Sequence, residues 1–266
     1  MVDKSRKFIG LVRLGYFARG MTYLVFAYLA LSGGSEARAG AQSVFDWLGE
    51  VPLGTPLLWL MTVGLLAYAA FKVLSALANI QHRSSDPGGA LKRLGDAASA
   101  VAYGFLAFAA LQFAIGVRRA SGGGQTRHMA RSVLSFEIGP LALGCVGIGF
   151  AVGAAMQAKE AFGAGFMRDL SASAPGWVAP VGRIGHAARA VVFGVIGYSL
   201  VRSAWFDRSG DAKGLGEALL SLRGNEVLFT LVAAGLALFG VFSMVVARYR
   251  VLPDFDTEQL KRKLPG

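Results

Sequence analysis

Six long stretches of apolar residues follow one another along the chain, separated by shorter polar segments. Each stretch is about 20 residues long, the length that an α-helix needs to cross the hydrocarbon core of a bilayer. Lipid offers no partners for free backbone amides, so such a stretch has to be helical. The six runs are residues 14–31, 56–78, 97–117, 138–158, 184–201 and 227–247. This pattern predicts an all-α membrane protein with six transmembrane helices.

The first run opens with a motif that returns twice. Residues 13–20 read Arg-Leu-Gly-Tyr-Phe-Ala-Arg-Gly, and similar segments begin 80 and then 90 residues further on. The residues shared by the three copies are Arg13 and Gly15, Arg93 and Gly95, and Arg183 and Gly185. Self-similarity at a regular spacing indicates tandem structural repeats. We therefore predict three two-helix repeats, residues 1–80, 81–170 and 171–250, followed by a tail at residues 251–266.

A short amphipathic segment lies between the two runs of each repeat, at residues 43–48, 131–136 and 217–222. One apolar and one polar face suit a helix that lies in the membrane interface. The second run of each repeat then begins near a matching glycine, Gly64, Gly149 or Gly235. Each repeat thus reads as a helix, an interfacial helix and a second helix. Two spans per repeat give all copies the same orientation, which permits a pseudo-threefold bundle; a simple row is the alternative.

Composition and charge support a membrane location. The 266 residues are 54% hydrophobic and only 16% charged, whereas soluble domains carry about 25% charged residues. The side that holds the N-terminus receives twice as many Lys and Arg residues as the other, while the acidic residues divide evenly. This asymmetry predicts that both termini are cytoplasmic. It accounts for the isoelectric point of about 10.2 without nucleic acid, and a basic inner face should attract anionic lipids.

A cleaved signal peptide is the alternative interpretation of the first run, because basic residues precede it and small residues follow it. However, this run is interrupted by Arg19 and opens with the motif that begins two internal runs. We therefore expect the first run to be a membrane helix. The single cysteine, Cys145, excludes an intramolecular disulfide, and its apolar surroundings in the sequence predict a buried side chain.

The repeated opening motif, the Gly-Leu-Leu-Ala-Tyr segment at residues 64–68 and the triplicated two-span unit together resemble a bacterial membrane family catalogued as domain of unknown function 1206. The resemblance covers nearly the whole chain, from Arg13 to Tyr249. It implies a bacterial inner-membrane protein with six helices, and it brings no activity, ligand or partner with it. The second copy departs from the first, with Asp96 and Ser99 where the first has Tyr16 and Arg19.

Two rows of polar residues occupy matching positions in the three repeats. Six positions after the motif arginine lie Arg19, Ser99 and Arg189; eight positions after the glycine of the second run lie Lys72, Gln157 and Ser243. Polar groups within membrane helices are costly, so they indicate function by default. The candidate site is an inner-leaflet polar cluster of Arg19, Lys72, Asp96, Ser99, Gln157, His186, Arg189 and Ser243. The alternative is that the long basic side chains simply extend to the cytoplasmic interface.

Two functional classes remain open. The first is a permease or channel for a small or anionic solute, with the polar rows forming a positive vestibule. The second is a non-transporting scaffold or anionic-lipid-binding protein that uses its basic cytoplasmic face. The three histidines have no metal-ligand spacing, and no catalytic triad or phosphate-binding loop is present. We therefore expect no metal, no cofactor and no enzymatic activity. The sequence does not indicate an oligomeric state.

Overall fold

The computed structural model describes residues 4–32, 35–78, 86–117, 125–206 and 208–251. Within these ranges, six helices are long and apolar enough to cross a membrane, as predicted. They are α1 (Lys4–Leu31), α3 (Gly54–Leu77), α4 (Pro87–Ala114), α6 (Gly139–Gly163), α7 (Val178–Trp205) and α9 (Glu226–Tyr249). The predicted tail lies outside the described residues, apart from Val251 at its start.

Each repeat has one shorter α-helix between its two membrane helices, again as predicted. These helices are α2 (Ala41–Glu50), α5 (Gln125–Leu134) and α8 (Leu215–Leu220). Four 3₁₀ helices complete the described elements: Ser35–Ala39, Gly165–Asp169, Ser209–Asp211 and Ser221–Gly224. The α5 helix begins before the predicted segment 131–136 and ends inside it. In α2 the apolar face is fully buried, with Val44, Phe45 and Leu48 at most 1% exposed. This helix therefore packs into the protein core.

The membrane helices extend beyond the apolar runs on the side where the chain begins. Arg13, Arg93 and Arg183 lie inside α1, α4 and α7, so the repeated motif does not mark the start of a helix. The α4 helix begins at Pro87, and the Asp86 side chain caps it by accepting a hydrogen bond of 2.7 Å from the Gly89 amide. Capping and proline at the first turn begin a helix whatever the hydropathy of its residues. Hydropathy alone therefore underestimates the helix length.

The six membrane helices pack in the order α4, α3, α1, α9, α7, α6. The middle of this row is the most buried, with 61% and 56% of the apolar windows of α1 and α9 buried against 11% for α6. The Arg189 guanidinium of α7 reaches past α9 to the ring of Tyr23 on α1, 5.6 Å away. This contact shows that the row is curved. The first and third repeats thus form the centre, and the two helices of the second repeat lie at opposite ends.

Contacts between successive repeats are present at every junction. The second helix of one repeat packs on the first helix of the next, giving the pairs α3–α4, α6–α7 and α9–α1. Glycines allow two of these approaches. A methyl group added to Gly20 would lie 2.8 Å from the Gly240 carbonyl oxygen, and one added to Gly147 would lie 3.0 Å from that of Gly197. Small residues that admit a neighbouring backbone are typical of membrane helix packing.

Among the described residues, the two membrane helices of one repeat pack on each other in the first and third repeats and not in the second. In the first, a methyl group added to Gly64 would lie 2.9 Å from the Cβ of Ala18; in the third, one added to Gly235 would lie 2.6 Å from the Cβ of Ala188. The matching glycine of the second repeat, Gly149, has nothing within 4 Å of such a methyl group. Along their described residues, α4 and α6 make no extended contact. The second repeat is therefore open.

The order of the helices is that of a pseudo-threefold ring with one missing contact. Five of the six neighbouring pairs expected for a ring in chain order are packed, and the α4–α6 pair is not. We call the gap between α4 and α6 the seam. Cys145, at the start of α6, is exposed, so the prediction of a buried thiol was wrong. The reason is that α6 packs on α7 alone among the membrane helices and presents its other faces outward.

Candidate functional site

The predicted polar cluster is divided among the three junctions between repeats. Lys72 Nζ on α3 lies 2.5 Å from Asp96 Oδ1 on α4, and Gln157 Oε1 on α6 lies 2.5 Å from His186 Nδ1 on α7. At the third junction, Arg19 Nε on α1 donates to Ser243 Oγ on α9 across 3.1 Å. In each case the residue from the row Lys72, Gln157 and Ser243 contacts the repeat that follows its own, with the first repeat counted as following the third. The row thus joins neighbouring repeats.

Arg19 is held inside the protein and does not extend to the interface. Arg19 is 8% exposed, and one of its guanidinium nitrogens donates to the Tyr68 hydroxyl across 2.9 Å. The guanidinium carbon lies 4.8 Å from the centre of the Tyr16 ring and 5.1 Å from that of Phe239. Among the described residues no carboxylate pairs with it. Neutral acceptors and aromatic faces therefore hold its positive charge, an interaction that gains strength away from water.

Lys72 is the second basic residue of the cluster, and its charge is neutralised. Its side chain is 14% exposed and that of Asp96 is 6% exposed, so the ion pair is largely removed from solvent. The second carboxylate oxygen of Asp96 has no hydrogen-bond partner among the described residues. A buried pair of this kind costs desolvation, and losing one partner leaves an uncompensated charge. Loss of either partner alone would therefore destabilise the contact between α3 and α4.

His186 lies in an aromatic cage at the junction of α6 and α7. Its ring stacks on Phe166 at a centroid distance of 5.1 Å and meets Phe239 and Phe242 edge-on. With the Gln157 amide oxygen as acceptor, Nδ1 carries the proton and Nε2 presents a lone pair. Nε2 is buried and has no hydrogen-bond partner among the described atoms. The ring is thus a neutral packing element with one unused acceptor.

Arg189 differs from Arg19 because no hydrogen-bond acceptor in the described part of the chain holds it. Its guanidinium carbon lies 4.4 Å above the Phe239 ring and 4.8 Å above the Phe193 ring, and the residue is only partly buried. Its Nε atom is buried without a hydrogen-bond partner among the described residues. Arg189 is therefore a cation available to an external anion. Ser99, at the matching position of the second repeat, donates to the Gly95 carbonyl of its own helix across 2.8 Å.

The motif arginines lie at the side of the protein where α1 begins and α9 ends, which we call the terminal face. Arg93 donates to the Ala76 carbonyl across 2.9 Å, which closes the end of α3 against α4. Arg13 and Arg183 are exposed. The three motif arginines therefore have different surroundings, although they occupy the same position of the repeat.

Sequence reasoning missed the aromatic residues that surround the cations. Tyr23, Tyr103 and Phe193 form a third matching row, ten positions after the motif arginine, and the Tyr103 ring meets that of Tyr68 at 4.6 Å. A second aromatic position holds Tyr68 in the first repeat, Phe239 in the third and Gly153 in the second. Aligning the copies beyond the charged positions would have found both rows, since each lies four residues from one of the polar rows and therefore on the same helix face.

The fold and this site define a multi-pass α-helical membrane protein built from three two-helix repeats. The chain belongs to the family described as Domain of Unknown Function (DUF1206), whose model matches residues 14–79, 84–164 and 184–250. It is 29% identical over 249 residues, or 90% of each chain, to "Uncharacterized protein YxxB" of Bacillus subtilis (strain 168). No solved structure matches the chain. The three matched segments correspond to the three repeats.

Proposed function

We propose that this protein is a permease for an anionic amphiphile in the bacterial inner membrane, with both termini in the cytoplasm. The observation that carries the proposal is the seam. The second repeat has the small residues that bring the helices of the other two repeats together, and yet its helices stand apart. A membrane protein that opens and closes such a seam gives a molecule from the bilayer access to the concave side of the helix row.

Closure of the seam is supported by residue equivalence. Ala18 and Ala188, which contact Gly64 and Gly235, are 2% and 5% exposed. The equivalent pair of the second repeat is Ala98 and Gly149, and both are exposed. Bringing α4 and α6 together through this pair would reproduce the contact of the other two repeats. It would also complete the ring order of the six helices.

The nature of the ligand follows from what lies on the concave side. Arg19 and Arg189 provide two positive charges without an acidic partner among the described residues, and both are bordered by aromatic rings. A guanidinium in a site of low dielectric constant favours an acidic group as its counter-ion. A molecule that enters through the seam must also tolerate hydrocarbon. We therefore infer a ligand with an acidic head and an apolar tail, and we expect no covalent chemistry.

Disulfide cross-linking across the seam tests closure. In a Cys145→Ala background, the pair Ala98→Cys and Gly149→Cys should form an intramolecular disulfide in native membranes, since closure brings the two Cα atoms within disulfide range. The control pair is Ala100→Cys and Gly149→Cys, because Ala100 is 8% exposed and points away from the seam. Equal rates for the two pairs, or a product of dimer size, would contradict the proposal.

Ligand binding tests the inferred chemistry. Oleate serves as the probe, with oleyl alcohol as the uncharged control and acetate as the control without a tail, and binding to protein in detergent is followed by native mass spectrometry. Arg189→Gln should weaken oleate binding about tenfold, the loss expected for one charge-assisted contact. Arg202→Gln, at the opposite end of α7, should leave it unchanged. Equal binding of oleate and oleyl alcohol would refute an anionic ligand.

A non-transporting scaffold or lipid-binding protein is the second candidate. The observation that favours it is that polar side chains join neighbouring repeats at two junctions, Lys72 with Asp96 and Gln157 with His186. A scaffold would keep the seam at one width. In that case the pair at positions 98 and 149 would not cross-link, while anionic lipid would still bind the basic face.

A further inference from the structure

A polar pocket lies on the terminal face, away from the seam. It is a cavity of about 380 Å³ between α1, the segment that follows α6, and the end of α9. Its polar lining consists of three arginines and two serines: Arg13, Ser171, Ser173, Arg248 and Arg250. None of these residues belongs to the polar cluster on the concave side of the row. We call this cavity the terminal pocket.

Backbone hydrogen bonds hold the walls of the terminal pocket together. Leu170 and Arg250 form an antiparallel β-bridge. The Ser171 amide donates to the Tyr249 carbonyl across 2.8 Å, and the Val251 amide donates to the Asp169 carbonyl across 3.0 Å. The segment after α6 is therefore fastened to the end of α9. This connection crosses from the second repeat to the third and gives the pocket a defined shape.

The charge of the terminal pocket is positive. Arg250 is oriented by Asp169, whose carboxylate lies 3.2 Å from its guanidinium, and by the Tyr16 ring, 5.2 Å from its carbon. Burial opposes its charged form, but Coulombic interactions with Tyr16 and Asp169 outweigh this and raise the pKa of Arg250 above its ordinary value. Arg13 and Arg248 are exposed and have no acidic partner among the described residues. Among the described residues, the Asp169 carboxylate pairs with Arg250, and Arg13 and Arg248 keep their charges exposed.

Two hydroxyl groups complete the set of donors. Ser171 Oγ and Ser173 Oγ lie 2.9 Å apart, and the Ser173 amide donates to Ser171 Oγ across 3.3 Å. Arginine forks and serine hydroxyls are the donor types that surround phosphate oxygens in proteins, because a phosphate presents several acceptors to several donors at once. A carboxylate offers two oxygens only and would leave part of this donor set unused.

The depth of the terminal pocket matches that of lipid headgroups. Arg13 directly precedes the apolar run of α1 at residues 14–31, and Arg248 directly follows that of α9 at residues 227–247. Phosphate groups of a bilayer lie at this level, just outside the hydrocarbon core. A lipid phosphate can therefore enter the pocket from the side, and a soluble phosphate ester can enter from the aqueous phase.

We propose that the terminal pocket binds the phosphate group of a phosphoester through Arg13, Arg248 and Arg250, with Ser171 and Ser173 as additional donors. The phosphate of an anionic phospholipid and that of a soluble phosphate ester share this chemistry. The site is independent of the seam and of the amphiphile that we propose for it.

Native mass spectrometry of the full-length, delipidated protein tests this assignment. The probes are phosphatidic acid, phosphatidylcholine and inorganic phosphate. The double variant Arg13→Gln and Arg248→Gln should weaken phosphatidic acid binding at least about tenfold, since two charge-assisted contacts are lost. Ser173→Ala should weaken it a few-fold. The matched control is Arg183→Gln, another exposed arginine of the terminal face that does not line the pocket.

The probes separate the source of the phosphate. If millimolar inorganic phosphate does not displace phosphatidic acid, the pocket binds a lipid headgroup. If it does displace phosphatidic acid, the pocket binds a soluble phosphate. Both results support the site. A loss of phosphatidic acid binding in Arg183→Gln as large as in the double variant would overturn it, since the basic face would then act only through its overall charge. The altered arginines are exposed, so unchanged melting curves are expected to confirm folding.

Discussion

The second repeat and the other two repeats use the same small residues in opposite ways. In the first repeat Ala18 lies against Gly64, and in the third Ala188 lies against Gly235, so that their two helices pack closely. In the second repeat Ala98 and Gly149 are exposed, and the helices that carry them lie at opposite ends of the row. Equivalent sequence therefore specifies an equivalent helix face, whereas the other packing partners of the helix decide whether that face is used.

The aromatic residue missing from the second repeat gives a physical reason for the difference. Tyr68 lies directly over Gly15, and its Cβ is 2.6 Å from a methyl group added to that glycine. Phe239 lies over Gly185 in the same way, with its Cβ at 2.9 Å. The second repeat has Gly153 at this position, and nothing lies within 4 Å of the corresponding methyl group at Gly95. A buried aromatic side chain removes about 150–250 Å² of surface. Without it, the contact between α4 and α6 is weaker and can open.

Breaking the attachment of the second repeat to the first should have the largest effect. Asp96→Asn leaves Lys72 as an unpaired charge in a largely buried place, which we expect to cost about 3–5 kcal/mol of unfolding free energy. Thermal unfolding in detergent measures this change. The double variant Lys72→Met and Asp96→Leu should recover most of the loss, because it removes both charges. If Asp96→Asn unfolds at the wild-type temperature, the ion pair does not hold α3 and α4 together.

A bulky side chain at the matching glycines compares the repeats directly. Gly64→Leu and Gly235→Leu insert atoms where a neighbouring backbone or side chain lies within about 3 Å, and overpacking of this kind costs about 1–3 kcal/mol. Gly149→Leu should be neutral for stability, since nothing lies within 4 Å of a Cβ added there and the residue is exposed. The melting temperatures of the three variants provide the measurement. Equal destabilisation by Gly149→Leu would mean that the closed second repeat is the main state.

Removing one hydroxyl group should have the smallest effect of the three. Tyr68→Phe deletes an acceptor of Arg19 and should cost about 1 kcal/mol or slightly more, since the donor is charged. Tyr103→Phe is the control: its ring meets that of Tyr68, and Ser99 rather than an arginine lies one turn before it on α4. Chemical denaturation curves of both variants test this. A loss at Tyr103 as large as that at Tyr68 would remove the distinction between the two repeats.

Much of the architecture could be predicted, because it depends on local patterns. The six runs, the three repeats and the short helices follow from hydropathy and self-similarity. The helix neighbours could not be predicted, since an apolar face is satisfied equally well by lipid or by another helix: Gly15 and Gly95 share a motif, and only Gly15 is packed. The polar cluster inferred from the sequence included both Lys72 and Asp96, but the sequence did not predict that these two would pair. Nor did it predict that Arg19 would be buried among aromatic rings.

Distance measurement across the seam tests the central claim most directly. Spin labels at Lys92→Cys on α4 and Phe162→Cys on α6, in a Cys145→Ala background in nanodiscs, report the separation of the second repeat by pulsed electron paramagnetic resonance. Both sites are exposed, as are the control sites Leu11 on α1 and Leu77 on α3. We predict two distances across the seam, with the shorter one enriched or depleted by oleate, and one distance for the control pair. A single seam distance that oleate does not change would contradict the account.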